Sequence, residues 1–309
     1  MRKRFASLLV VLTAACDTAY SVTASDAGTD AQSAQAGDAG ALVDGTASPV
    51  DGSKTDGGGN SASDGASQDA ASLPFPVALG TRLRLWLDAT DGSTVIRSVA
   101  GTDLVTSWND KSDNHFVAAS VPGGTVTYVG DTDAGGAHGI ALTNGGYLTI
   151  PDSPALEFQK ESFSIYVAAR FAAADETNLF DTLVGKSNQG STGYELGFQS
   201  PGNKICAAYG NALNTCAPAV EGFGIFTLTA VAATGGAGKG QLSAAQLGQS
   251  TTSTQADALS DTAPLQIGRG SGGAYFFTGT IFEIIVVAQP TATETTMIAS
   301  YLEGKYGHP

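Results

Sequence analysis

Beyond residue 80, apolar residues fall at every second position over much of the chain, and that period limits what the chain can become. In RLRLWLDA, Leu83, Leu85 and Leu87 point one way while Arg84, Trp86 and Asp88 point the other. In SFSIYVAARF, Phe163, Ile165, Val167, Ala169 and Phe171 share a face opposed by Ser164, Tyr166 and Arg170. In TGYELGFQ, Tyr194, Leu196 and Phe198 oppose Glu195 and Gln199. A period of two is that of a strand, whose side chains alternate between faces, and an apolar face must be covered by another layer. Further runs at 125–129, 139–143, 147–150, 182–186, 204–210, 223–233 and 279–287 are separated by Gly, Asn, Asp and Pro clusters. Many short strands with turn chemistry between them predict an all-β, antiparallel sandwich or barrel.

One helix is expected, at the end. Thr291-Ala-Thr-Glu294 has the form of a capping box just after Pro290. Met297, Ile298, Tyr301 and Leu302 then give one apolar stripe, and Gly304 and Gly307 are expected to stop it. This helix should pack on one edge or end of the sandwich.

The first 72 residues are of another kind. Arg2, Lys3 and Arg4 precede a short apolar run, Leu8 to Leu12, and the small residues Thr13, Ala14 and Ala15 lead into Cys16. Such a run is too short to span a bilayer, which takes ~20 apolar residues, so residues 1–15 read as a secretory signal. A cysteine directly after small residues resembles a lipobox, with Thr13 where leucine is usual, and makes Cys16 the expected lipidation site. Residues 16–72 consist almost entirely of Asp, Ala, Gly, Ser and Thr. They offer little apolar surface to offset the entropy of ordering and read as a disordered tether, with an r.m.s. reach of roughly 40 Å. The expected organisation is signal peptide 1–15, lipidated tether 16–72 and one folded domain 73–309, lipid-anchored in the cell envelope as a monomer.

Two cysteines remain, Cys206 and Cys216, ten positions apart around a turn-like segment. Outside the cytoplasm such a pair is expected to be a disulfide, worth ~2–3 kcal/mol for so short a loop. The formal net charge is −14, shared between tether and domain, with no basic patch of the kind nucleic acid or anionic lipid requires. Nucleic-acid binding is not expected.

Three segments together resemble the concanavalin A-like lectin/glucanase superfamily, specifically laminin-G-like domains. They are LWLDATD (85–91) with SWNDKSDNHFVA (107–118); ESFSIYVAARF with LVGKSNQGSTGYELGF; and 264–307, which ends on a helix closing Y-L-x-x-K-Y-G. Asp113 stands where the family usually has glycine. The resemblance implies a jelly-roll of two curved antiparallel sheets with the helix after the last strand. It also implies a structural calcium ion where first and last strands meet, with Glu283 and Asp88 as its ligands here. Glu283 shares a face with Ile281, Ile285 and Val287 by alternation, so it must be exposed at an edge, paired, or bound to a metal.

Fold alone implies no activity. Hydrolases of the superfamily place carboxylates at alternate positions of one strand, E-x-D-x-E, and this chain has no such run. The nearest acidic cluster, Asp175-Glu176 with Asp181, lacks the spacing, and Glu195 stands alone on its strand. No G-x-S-x-G elbow is present. Gly268-Arg-Gly270-Ser-Gly272-Gly273 matches G-x-G-x-x-G but precedes a strand-like run, so it reads as a hairpin loop. Asp110, Asp113 and Asn114 read as turn caps, the pair Asp131 and Asp133 as a solvated loop, and Trp86 and Trp108 as core.

No catalytic residue is assigned. The reading is a lectin-like domain that binds carbohydrate or an extracellular protein, with Tyr275 and Tyr147 in Gly-rich loops as stacking platforms. The alternatives are a glycan hydrolase or lyase with Glu195 or Asp181 as a lone acid, and a structural envelope lipoprotein.

Overall fold

The computed structural model describes residues 75–306, apart from 100–101, 133, 160, 172–179, 188–191, 200–202, 210–214, 233–238, 247–248, 257–261 and 271–274. The signal segment, Cys16, the tether, Asp133, Asp175 and Glu176 lie outside the described residues.

Two antiparallel sheets face each other. The first runs β15 (Gln249–Ala256), β14 (Lys239–Gln246), β13 (Gly222–Val231), β8 (Phe163–Phe171), β17 (Gly279–Ala288), β6 (Ala137–Thr143), β5 (Thr125–Asp131). β1 (Leu83–Asp88) pairs with the second half of β17, beside the stretch that β6 takes. The second sheet runs β12 (Thr215–Pro218), β11 (Lys204–Tyr209), β10 (Gly193–Gln199), β9 (Phe180–Ser187), β16 (Leu265–Ile267), β7 (Leu148–Ile150), β4 (Val117–Ser120), β3 (Val105–Asn109), β2 (Val95–Arg97).

The alternating faces meet between these sheets. Phe163, Ile165, Val167, Ala169 and Phe171 of β8 pack in one core with Tyr194, Leu196 and Phe198 of β10 and with Trp108. Phe198 stacks on Phe171 with ring centroids 3.8 Å apart and meets Phe226 edge-on at 4.9 Å. Full burial of each large apolar side chain contributes about 1.5–3 kcal/mol, so this layer is the main source of stability. Asp110 ties β1 to the loop after β3. Its carboxylate accepts the backbone N–H groups of Trp86 (2.8 Å), Ser112 (2.9 Å) and Phe116 (3.1 Å), the turn-capping role expected of Asp110. Cys206 and Cys216 stand directly opposite each other on β11 and β12 and form the expected disulfide.

Strict alternation fails at two β-bulges. Against β8, Ile281 pairs with Ala169 and Glu283 with Ala168, leaving Phe282 as the extra residue. A bulge puts two residues of one strand opposite one of its partner. Phe282 and Glu283 therefore both turn outward, with Ile285 and Val287, while Ile281, Ile284 and Val286 point into the core. This corrects the expectation that Glu283 shares a face with Ile281, while its shared face with Ile285 and Val287 holds. In β1, Leu83 pairs with Val287 and Leu85 with Val286, so Leu83 lies on the outer side while Leu85 and Leu87 enter the core.

The closing helix, α1 (Ala292–Tyr306), has the capping box read from sequence. Thr291 N–H donates to Glu294 Oε2 at 2.8 Å, and Glu294 N–H donates to Thr291 Oγ1 at 3.2 Å. Its position differs from the expectation of an edge or end. Ile298, Leu302 and Tyr306 bury against Trp86, Tyr166, Phe282 and Ile285, so the helix covers the outer face of the first sheet. The bulge that turns Phe282 outward enlarges the apolar surface it covers. Met297, placed in the stripe by spacing, is 45% exposed, and the helix continues through Gly304 to Tyr306. The polar edge hairpin β14–β15 escaped the sequence reading, because an edge strand needs few apolar residues to hold its place.

Candidate binding face and a buried ion cluster

The two outer faces carry different chemistry. Under α1, Asp88 and Glu283 lie directly opposite each other in the β1–β17 pairing, where strand register puts their side chains on one side. The cation between them is the Lys305 ammonium, 2.8 Å from Asp88 Oδ1 and 2.8 Å from Glu283 Oε2. Glu283 also accepts hydrogen bonds from Trp86 Nε1 (2.7 Å), Tyr301 (3.0 Å) and Tyr306 (2.8 Å). Lys111 reaches Asp88 at 3.1 Å and Asp91 at 3.0 Å, with its ammonium 4.2 Å from the Trp86 ring centroid.

The residues named for calcium thus come together, but the arrangement does not fit the ion. A calcium site needs six or more oxygens directed at one point, and here both carboxylates are engaged by ammonium groups. Among the described residues no group of three or more His, Cys, Asp or Glu is placed to hold a metal. Of the choices open to Glu283, pairing is the one realised.

Burial pushes the Glu283 carboxyl above the usual carboxylate range, more than the Lys305 charge pulls it down. Burial acts on Asp88 in the same sense, but hydrogen bonds from Lys305 and Thr90, with the Lys305 and Lys111 charges, bring it net below its usual value. Burial and the Glu283 charge raise the Tyr306 phenol well above its ordinary range. With Glu283 fully buried and Lys305 partly so, this cluster fastens the helix to the sheet.

No helix of the described residues covers the second sheet. Across its outward side Ala208, Glu195, Gly185, Gln266, Thr149 and Ala119 stand opposite one another on β11, β10, β9, β16, β7 and β4. Beside this row the Arg269 guanidinium lies 4.6 Å from the Tyr147 ring centroid and 5.5 Å from that of Phe276. Arg269 Nη1 donates to the Tyr147 hydroxyl at 2.7 Å. Phe276 bridges to Thr182 of β9 on one side and to Arg269 on the other.

Gly268 and Gly270 make this packing possible. Gly268 has φ +85°, in the left-handed region that other residues adopt at a cost. At Gly270 a Cβ would fall 2.4 Å from Thr182 Oγ1 and 3.0 Å from the Tyr275 side chain. Three buried polar atoms of this face, Thr182 Oγ1, Gln266 Oε1 and Arg269 Nε, have no hydrogen-bond partner.

Both tyrosines named as platforms, Tyr147 and Tyr275, border this patch and are half-buried. Glu195, which alternation leaves on the solvated side, is only 7% exposed. Asp181 stands opposite the core residue Phe198, whereas Glu195 points outward, so these two acids address opposite sides of the sheet. Paired-carboxylate hydrolysis needs both groups flanking one bond, and the arrangement does not supply that. Sequence reasoning missed Arg269, Phe276, Thr182 and Gln266. Arg269 lay inside the glycine motif read as a hairpin loop, and the loop reading holds, with Gly270 N–H donating to the Tyr275 carbonyl at 2.9 Å.

No family model and no curated protein matches the sequence. Solved structures match in fold. The binding domain of Paraclostridial Mosquitocidal Protein 1 superposes with TM-score 0.50 at 12% identity, over 74% of this chain and 53% of that one. That likeness shows a β-sandwich. An arabinofuranosidase in complex with arabinofuranosyl-alpha-1,2-xylobiose gives 0.49 at 15% identity, over 72% and 59%. Domain 4 of AbnA, an extracellular arabinanase from Geobacillus stearothermophilus in complex with arabinotriose, gives 0.44 at 14% identity, over 71% and 98%. The chain spans a little more than half the length of the first two.

Proposed function

We propose that this chain is an exported lipoprotein, anchored through Cys16, whose laminin-G-like domain binds carbohydrate on the outward face of its second sheet. The observation that carries the reading is the half-buried patch of Tyr147, Arg269 and Phe276 on a face that no described helix covers. Sugars present an apolar ring face and a rim of hydroxyls, and a surface of aromatics with polar atoms beside them matches both. The tether, with its Asp, Gly and Ser content, suits display away from a lipid surface.

Screening the folded domain on an array of neutral and acidic glycans tests this. Retention of a defined subset is expected, and Tyr275→Ala is expected to weaken it about three- to tenfold, the value of one stacking contact. Silence across the array, with the domain folded by circular dichroism, would count against the proposal.

A further inference from the structure

Every other described arginine faces a carboxylate: Arg82 meets Glu294, Arg84 Glu161 at 3.7 Å, Arg97 Asp103 at 3.9 Å, and Arg170 Asp131 at 2.6 Å. Among the described residues Arg269 has no acidic partner. Its hydrogen bond goes to the Tyr147 hydroxyl, and its guanidinium lies over two rings. In a chain of formal net charge −14, carboxylates are plentiful, and a partly buried arginine left without one is costly to keep. A guanidinium has five donors in a planar fork suited to bidentate contact with an anion, and aromatic rings hold that plane in place without neutralising it. We infer that Arg269 is the recognition residue for the anionic group of an acidic glycan, a uronate carboxylate or a sulfate ester.

The inference rests on the carbohydrate-binding reading and narrows it. The charge of the ligand would meet the guanidinium, and its ring would lie against the aromatic border. Tyr147 is then a positioning residue, since its hydroxyl accepts from Nη1 and orients the fork.

The test uses matched pairs: polygalacturonate against its fully methyl-esterified form, and chondroitin sulfate against desulfated chondroitin. Titration calorimetry with the folded domain is expected to favour the more anionic member of at least one pair, desulfated chondroitin still carrying its uronate carboxylates, with affinity falling as salt rises. The uronate and sulfate arms identify the anion. Arg269→Gln is expected to weaken binding on the order of tenfold to a hundredfold, the value of hydrogen bonds to a charged group, with Arg269→Lys between. Tyr147→Phe, which keeps the ring, is expected to weaken the more anionic member more than the other. Equal affinity for both members of each pair, or binding untouched by Arg269→Gln, overturns the inference and leaves the carbohydrate-binding reading standing. Failure to bind any glycan of either kind overturns both. An unchanged melting temperature separates lost recognition from lost folding.

Discussion

Replacing Lys305 with methionine is expected to cost roughly 3–5 kcal/mol of unfolding free energy, the range for stripping one partner from a buried ion pair. The methionine keeps most of the apolar stem, so the loss reports the charge. Without the ammonium, Glu283 and Asp88 face each other across the β1–β17 pairing, Glu283 fully buried. Two carboxylates so placed repel, and burial already disfavours the ionised form of Glu283. Glu283→Gln in the Lys305→Met background is expected to recover part of the loss, because the amide carries no charge, its oxygen can still accept from Trp86 and Tyr301, and its NH2 can donate to the Tyr306 hydroxyl. Urea unfolding of the wild type, both single variants and the double variant measures the coupling. A coupling near zero would show that Lys305 does not neutralise Glu283 and that apolar packing alone holds α1.

Phe198→Ala is expected to cost about 3–5 kcal/mol, as large-to-small changes at buried aromatics do. Phe198 comes from the second sheet, and the rings of Phe171 at 3.8 Å and Phe226 at 4.9 Å come from the first. Removing the ring leaves a cavity bounded by both sheets, which can close only if they move together, and their other contacts resist that. Phe198→Leu is expected to cost less than half as much, since it refills part of the volume. Equilibrium unfolding followed by tryptophan fluorescence reads both. If Phe198→Ala lost less than ~1 kcal/mol, the placement of β10 against β8 and β13 would be wrong.

Much of the sandwich was legible because a half-buried strand writes its orientation into every second residue. The inward faces of β8 and β10 match the alternation residue for residue. Legibility ended where the backbone departed from that rule. A bulge depends on the partner strand, and nothing within GTIFEIIVV marks Phe282 as the extra residue. The helix was recognisable from its cap and stripe, but its docking face was not, since the apolar surface it covers exists only after Leu83 and Phe282 have turned outward.

Glu283 shows the same limit at a site. Its sequence context posed the choice among edge, pairing and metal. The answer came from Lys305 on α1, which folding brings within 2.8 Å. On the opposite side of the domain, Tyr147 and Tyr275 were found because aromatics among glycines are conspicuous. Arg269 was passed over because a lone arginine in a loop is ordinary. Its distinction is the absence of an acidic partner among the described residues, and that depends on the pairing of β16 with both β7 and β9, strands more than 75 residues apart along the chain.

Hydrogen–deuterium exchange with and without a saturating glycan from the array tests most directly whether ligand lies on the outward face of the second sheet. Added protection is expected in 147–150, 193–199 and 265–277, with α1 unchanged. Protection confined to α1 or to the β14–β15 hairpin, with the Arg269 region exchanging as in the free protein, would contradict that placement.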